Sequence, residues 1–285
     1  MTDSAPDRRS RISAAFGRAD GYEAAATVQR AAAKRLATAI TGQTFPPRPA
    51  ILELGCGTGF LTRALAPAVG SAQWTVSDIA PAMVERARAI LDLAADYRVI
   101  DGEAVDPTLG RFDLIVSNLA FQWFADLPGA VSRLAGLLSP RGMLAFSTMA
   151  AGSFAEWLDV LDAERLDAGT PAYPDRGDLV ALAPPGYSAA VEIVDFPQTQ
   201  PDARGFLQRL KAIGAATPAA GYRPLPPAAL KRAMARFDAG PRIVTYRIAF
   251  CLITDRMISS QTGSSATRRS RQGHDPERSI EAIGS

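Results

Sequence analysis

The 285-residue sequence is poor in the residues that most often carry acid–base and metal chemistry. Its only histidine, His274, lies in a polar C-terminal segment, which argues against a histidine general base or a histidine-rich metal site. The two cysteines, Cys56 and Cys251, are far apart and lack metal-ligand spacing, so we expect neither a disulfide framework nor a bound metal. Whatever reaction the protein performs must need none of these groups.

Long apolar runs and a strong excess of one charge are also missing. No apolar run reaches the roughly 18 residues of a membrane span, and the first residues, MTDSAPDRRSRIS, lack the apolar centre of a signal peptide. The formal net charge is only +2, which gives no indication of nucleic-acid binding. We therefore expect a cytoplasmic protein with neither a membrane nor a nucleic-acid partner.

Short apolar segments alternate with helical segments along much of the chain, and 47% of the residues are hydrophobic. This alternation predicts an α/β fold with a mostly parallel sheet that helices cover on both faces. Ligands of such sheets bind outside the carboxyl ends of the strands. The predicted strands are 50–54, 73–78, 97–100, 111–118, 142–148, 188–196 and 242–254.

A glycine-rich loop follows the first predicted strand, in the segment ILELGCGTGF at 51–60. Glycine permits positive φ and lets the backbone approach a ligand closely. Phe60 stands where a dinucleotide-binding loop needs its third glycine, and no lysine follows as in a P-loop. Asp78 ends the next strand, about 20 residues on, where a carboxylate can accept hydrogen bonds from ribose hydroxyls. A tight turn with a surface aspartate is the structural alternative.

These residues resemble the class I S-adenosylmethionine (SAM)-dependent methyltransferases over about residues 50–150. The resemblance implies a Rossmann-like, seven-stranded sheet that is parallel except for the last strand. It also implies that SAM is the cofactor, with the loop on its methionine part, Asp78 on its ribose and later segments around its adenine. The cofactor-binding residues that it implies are Glu53, Gly55, Cys56, Gly57, Gly59, Asp78, Ile79, Met83, Asp101, Gly102, Asn118 and Leu119. We expect Cys56 to be a small space-filling residue and not a reactive thiol, because no base lies beside it in the sequence.

Three further segments resemble the malonyl-acyl-carrier-protein O-methyltransferases of biotin synthesis. They are RISAAFGRADGY at 11–22, SNLAFQW at 117–123 and LKAIGA at 210–215, and the resemblance extends over about residues 8–254. It implies methylation of the free carboxylate of a malonyl thioester carried on acyl carrier protein. A carboxylate, with a pKa of about 4, is already ionised at pH 7, so the reaction suits a chain whose only histidine is near its end.

The same resemblance suggests which residues meet the acceptor. Tyr22 and Gln122 can donate hydrogen bonds to a carboxylate and are the candidate catalytic residues. Arg18, on the predicted helix of Tyr22, and Trp123 are candidates for the substrate site. Each of the four also fits an ordinary packing role on a helix or after a strand.

The charge pattern suggests where a carrier protein docks. Nine basic residues and only two acidic ones lie between residues 201 and 247, and a basic surface attracts an acidic partner. Arg209 and Lys211 are the candidate carrier contacts, although a solvated surface explains the charges as well. Methylation of another small acid or a quinone precursor, and a non-catalytic SAM-fold assembly factor, are the competing functions.

The expected organisation is one methyltransferase domain with polar ends. Residues 1–10 and 259–285 have a disordered composition, and 11–258 form the domain. Its parts are an N-terminal helical lid at 11–45, a SAM-binding core at 50–150, an acceptor and carrier-docking part at 151–240 and the last strand at 242–254.

Overall fold

Seven strands form one sheet in the computed structural model, which describes residues 26–212 and 222–256. Their order is β3-β2-β1-β4-β5-β7-β6, and β7 pairs antiparallel with both of its neighbours while the other pairs are parallel. The predicted fold class, with its reversed last strand, is therefore confirmed. The strands are β1 Ala50–Leu54, β2 Gln73–Asp78, β3 Ala95–Val99, β4 Phe112–Asn118, β5 Leu138–Met149, β6 Tyr187–Thr199 and β7 Ile243–Asp255.

Helices cover both faces of this sheet because alternate strand residues point to opposite sides. Ile51 belongs to one buried apolar cluster and its neighbour Leu52 to the other. The first cluster receives α1, α2, α3, α5, α7 and α8, and the second receives α4 and α6. The helices are α1 Thr27–Thr41, α2 Phe60–Val69, α3 Pro81–Ile90, α4 Leu127–Ala135, α5 Ala155–Ala163, α6 Arg176–Ala181, α7 Ala203–Ala212 and α8 Pro227–Asp238.

Local chemistry sets several helix starts. Pro81 occupies the first turn of α3, where its missing N–H costs nothing. The Asp126 side chain accepts a hydrogen bond from the Gly129 N–H and caps α4. Asp175 and Asp178 form a reciprocal capping box at α6, a helix in a stretch that the sequence alone predicts to be loop.

The S-x-x-E pattern at Ser153 and Glu156 is not a capping box. The Ser153 hydroxyl donates to the Ala150 carbonyl at 2.8 Å, and the Glu156 carboxylate accepts from the Thr245 N–H at 2.9 Å. Both side chains thus join α5 to the strands instead of capping it, which the spacing alone does not reveal.

The expected disordered ends, residues 11–25 of the predicted helical lid and the candidates Arg18 and Tyr22 lie outside the described residues. The described residues begin just before α1, whose apolar face is fully buried in the core through Leu36 and Ile40. Within the described ranges no helix is long and apolar enough to cross a membrane.

Candidate active site

The carboxyl ends of β1, β2 and β4 surround a cavity, which we call the cofactor cavity. This is where the strand order reverses, with β2 on one side of β1 and β4 on the other, the position at which such sheets bind ligands. Eight of the predicted cofactor residues line it: Gly55, Gly57, Asp78, Ile79, Asp101, Gly102, Asn118 and Leu119.

The glycine loop needs its glycines for conformation and for space. Gly55, Gly57 and Gly59 have φ of 70°, 53° and 83°, in the left-handed region that favours glycine. A Cβ at Gly55 would lie 2.5 Å from the Ala120 Cβ. The loop backbone therefore forms a smooth wall that a ligand can approach closely.

Asp78 ties this loop to the end of β2. One carboxylate oxygen accepts from the Gly57 N–H and the other from the Ala80 N–H, each at 2.9 Å. The residue is only 7% exposed, and burial raises the pKa of its carboxyl group. Because each oxygen can accept a second hydrogen bond, the group fits a ribose with two hydroxyl donors.

The opposite wall of the cavity contains two more carboxylates, those of Asp101 and Glu103. Asp101 accepts from the Glu103 N–H at 2.9 Å, and Glu103, only 7% exposed, accepts from the Ala125 and Asp126 N–H groups at 2.8 Å. Glu103 thereby fixes the segment after β4, which carries Phe124 over Gly102, where a Cβ would lie 2.7 Å from the ring.

Sequence reasoning missed several lining residues. They are Leu54, Ile100, Ala120 and Phe124. Leu54 and Ile100 are adjacent to predicted residues and could have been found from strand ends. Phe124 comes to the cavity through the fold of a loop, for which the sequence offers no periodic signal.

Four predicted cofactor residues lie behind the cavity wall: Glu53, Cys56, Gly59 and Met83. Glu53 is 1% exposed, accepts a short hydrogen bond from the Thr62 hydroxyl of α2, and burial raises its pKa to about 7. Burial also raises the pKa of the Cys56 thiol, which disfavours the reactive thiolate. These residues shape the loop from its inner side.

The end of β4 separates this cavity from a second one. Asn118 accepts from the Ser147 hydroxyl at 2.8 Å and donates to the Gln29 carbonyl of α1 at 3.1 Å. Leu119 follows with φ of 53° and, like Trp123, lines both cavities. These two side chains therefore form a common boundary of the two cavities.

The second cavity has a mainly apolar wall. We call it the acceptor cavity. The Gln122 amide lines it and donates to the Leu119 carbonyl at 2.6 Å. Its oxygen is buried and has no hydrogen-bond partner among the described residues, so it is an acceptor that a bound donor can use. The lining residues of the acceptor cavity are Gln29, Leu119, Gln122, Trp123, Met149, Phe154, Trp157, Ala168, Gly169, Thr170, Pro171, Tyr173, Phe206, Leu207, Leu210, Tyr222 and Tyr246.

Helix α7 separates the acceptor cavity from a basic groove on the surface. Leu207 lines both. Lys211 lies in the groove, whereas the charge of Arg209 reaches Tyr246 on β7 and opposes the rise in its pKa. The two predicted carrier contacts thus face different sides of α7. The groove is lined by Arg204, Leu207, Gln208, Lys211, Pro227, Leu230, Lys231 and Met234. Among the described residues no group of three or more potential ligands could hold a metal ion.

Comparison with known proteins identifies the family. A methyltransferase-domain family model matches residues 51–142. The malonyl-[acyl-carrier protein] O-methyltransferase of Magnetococcus marinus is 37% identical over 253 residues, which are 87% of this chain and 93% of that protein. The chain belongs to the malonyl-[acyl-carrier protein] O-methyltransferase family. It is therefore a SAM-dependent methyltransferase, and SAM is the ligand that the cavity at the strand ends fits.

Another relative of this O-methyltransferase is longer. The biotin biosynthesis bifunctional protein BioCD of Bordetella avium is 45% identical over 252 residues, which cover 88% of this chain but only 53% of that protein. The chain thus spans about half the length of the bifunctional relative.

Solved structures support the fold. A methyltransferase structure from Bacillus halodurans matches with a TM-score of 0.53 at 16% identity and covers 78% of this chain and 98% of that one. The N-methyltransferase NodS of Bradyrhizobium japonicum, solved with S-adenosyl-L-homocysteine, matches with a TM-score of 0.51 at 14% identity over 88% of this chain and 100% of that one. At such identities the likeness shows the Rossmann-like methyltransferase fold alone.

Proposed function

We propose that the protein methylates the free carboxylate of malonyl-acyl carrier protein and so supplies a malonyl methyl ester for biotin synthesis. The names of its relatives support this acceptor. The observation that carries the proposal is that three spaces adjoin one another. Leu119 and Trp123 line both the cofactor cavity and the acceptor cavity, and Leu207 lines both the acceptor cavity and the basic groove.

This arrangement suits an acyl group that is tethered to a protein. A carrier-bound thioester reaches a buried site only through a cavity with one end at the docking surface. The apolar wall between Leu207 and Trp123 can hold the uncharged part of the tether while its charged end reaches the cofactor. A free small acid would need no groove and no long cavity.

The chemistry needs positioning more than proton transfer. SAM supplies an electrophilic methyl group, so that an oxygen of the acceptor carboxylate displaces S-adenosylhomocysteine. The carboxylate is ionised at pH 7, and the chain has no histidine before residue 274. The protein's contribution is therefore to hold the acceptor in line and to exclude water.

The predicted residues take the following roles in this proposal. Asp78 holds the ribose, and the loop at Gly55 and Gly57 holds the methionine part of SAM. Asp101 and Gly102 lie beside the adenine. Gln122 and Trp123 line the acceptor cavity, and Tyr22 and Arg18, outside the described residues, stay predicted acceptor contacts.

The basic groove is the proposed docking site for the carrier protein. Arg204, Lys211 and Lys231 are exposed and surround an apolar floor that includes Leu230 and Met234. A basic rim around an apolar centre is suited to an acidic helix with a few apolar side chains.

An acceptor panel tests the proposal. Malonyl-carrier protein, malonyl-coenzyme A, free malonate and a quinone precursor are each incubated with enzyme and SAM, and methylated product is measured. We expect malonyl-carrier protein to give the highest kcat/KM. A higher value for a free acid would favour the small-acid alternative, and SAM binding without any product would favour a non-catalytic assembly factor.

A further inference from the structure

Tyr173 and Tyr246 are two of the three tyrosines among the described residues that line the acceptor cavity. Tyr246 lies on β7 and is 4% exposed, and Tyr173 lies in the segment between α5 and α6. Both side chains line the same cavity, and a negative charge on Tyr246 would raise the pKa of Tyr173. Neither hydroxyl forms a hydrogen bond with a residue that the structure describes.

Phe154 fixes the two tyrosine rings. Its ring centroid lies 4.8 Å from that of Tyr246 and 6.5 Å from that of Tyr173, with edge-to-face angles of 80° and 67°. Phe154 has φ of 63°, a conformation that a non-glycine residue adopts at a cost. Its N–H donates to the Thr245 carbonyl of β7 at 2.7 Å, so the adjacent strand holds it in place.

Two features make this pair suitable for an anion. Burial raises the pKa of each tyrosine to about 12, so both hydroxyls keep their protons at physiological pH. Arg209 stands near Tyr246 and carries a permanent positive charge. An anion in an apolar cavity needs such donors, because an unpaired buried charge is very costly.

Gln122 alone would not satisfy a carboxylate. One of its two N–H groups is already used by the Leu119 carbonyl, and its oxygen can only accept a hydrogen bond. The remaining donors within the described part of the cavity must come from elsewhere on its wall.

We propose that the Tyr173 and Tyr246 hydroxyls, assisted by the Arg209 guanidinium, form the subsite that recognises the acceptor carboxylate. This rests on the proposed function, since it assigns the acid group of that acceptor. The subsite discriminates between substrate and product. A carboxylate receives charge-assisted hydrogen bonds, whereas its methyl ester is neutral and receives weaker ones. Methylation therefore weakens binding at this subsite and favours product release.

The test compares the affinities of an acid and its ester. Enzyme saturated with S-adenosylhomocysteine is titrated with malonyl-coenzyme A and with its methyl ester, and the ratio of the two Kd values is the readout. We expect the wild type to bind the acid more tightly than the ester. In the double variant Tyr173→Phe/Tyr246→Phe, the ratio of the ester Kd to the acid Kd should fall at least about tenfold. Arg209→Met, which removes only the cation, reduces the preference as well.

Tyr187→Phe and Arg236→Met are the matched controls. Tyr187 donates to the Ala135 carbonyl away from the cavity, and Arg236 lies on α8 beside Glu164. Both controls should keep the wild-type ratio.

An unchanged ratio in the tyrosine variant and in Arg209→Met, with S-adenosylhomocysteine still bound tightly, would overturn the subsite. So would a wild type that binds acid and ester equally. If the wild type instead gave no methyl ester from malonyl-carrier protein, the proposed function itself would fail, which is a separate result.

Discussion

At the scale of single residues, two buried carboxyl groups on neighbouring strands have different surroundings. Asp78 ends β2, lines the cofactor cavity and accepts two backbone N–H groups. Glu53 lies on β1 behind the loop and accepts from the Thr62 hydroxyl. The first faces the ligand and the second faces the core, so substitutions at the two sites should affect different properties.

Replacing Asp78 with asparagine should weaken cofactor binding. An amide has one acceptor atom in place of two, so it cannot hold both backbone groups and a ribose hydroxyl. We expect the Kd for SAM to rise at least about tenfold by isothermal titration calorimetry. Asp106→Asn is the control, because Asp106 accepts from the Thr108 N–H on an exposed turn. An unchanged Kd for SAM in Asp78→Asn would show that Asp78 does not bind the ribose.

Glu53 should make the stability of the ligand-free protein depend on pH. Burial raises its pKa from 4.5 to about 7, so the folded protein holds this proton more tightly than the unfolded chain does. The contribution of this proton to the free energy of unfolding is complete below about pH 4.5 and is lost as pH rises through about 7. The loss is on the order of 3 kcal/mol at most.

Urea unfolding from pH 5 to pH 8 measures this effect. Relative to the wild type, Glu53→Gln should gain stability as pH rises, because the amide does not ionise. Glu85→Gln replaces an exposed carboxylate on α3, and its free energy of unfolding should depend on pH in the same way as that of the wild type. If the free energy of unfolding of Glu53→Gln also changed with pH in parallel with that of the wild type, burial would not raise the pKa of Glu53.

At the scale of elements, sequence patterns predicted the core strands well. The predicted strands AILEL and QWTVSD coincide with β1 and β2 as observed, because strands buried on both faces are rich in apolar and β-branched residues. The same logic failed for α6, which the sequence reasoning took for loop. Its start is set by the Asp175 capping box, a local hydrogen-bond pattern without an apolar period.

The candidate site was predictable where it follows strand ends. Asp78, Asp101 and Asn118 could be placed together because parallel strands end at one edge of the sheet. Tyr173 and Tyr246 could not be found in this way. They meet across Phe154, whose position depends on a strained turn and on a contact with β7, and such long-range packing leaves no local pattern in the sequence.

Helix α7 should contribute to carrier docking through its outer face. Lys211 is exposed and lies in the basic groove. We expect Lys211→Glu to raise the KM for malonyl-carrier protein about fivefold at low salt, equivalent to roughly 1 kcal/mol. The salt dependence of KM should also weaken, because the reversed charge removes part of the attraction.

Two comparisons give this docking prediction its specificity. The KM for malonyl-coenzyme A should not change in Lys211→Glu, since that substrate brings no carrier protein. Arg141→Glu, an exposed residue on β5, makes the same charge change outside the groove and should keep the wild-type KM for the carrier. Equal effects of the two variants would mean that net charge, and not the groove, governs docking.

At the scale of the whole molecule, different strands of the sheet line the two cavities. Strands β1, β2 and β4 form the cofactor cavity. The reversed strand β7, with α5 and α7, forms much of the acceptor cavity and leads to the basic groove. In the proposed function, the first half of the chain would hold the cofactor, and both halves would line the acceptor cavity.

The most direct measurement of the central claim is methyl-ester formation on a carrier protein. Malonyl-acyl carrier protein is incubated with the enzyme and SAM, and the mass of the carrier is followed by mass spectrometry. The account predicts one added methyl group on the malonyl carboxylate, together with one equivalent of S-adenosylhomocysteine and a higher kcat/KM than for free malonate. A carrier whose mass does not change, with enzyme that binds SAM tightly, would contradict it.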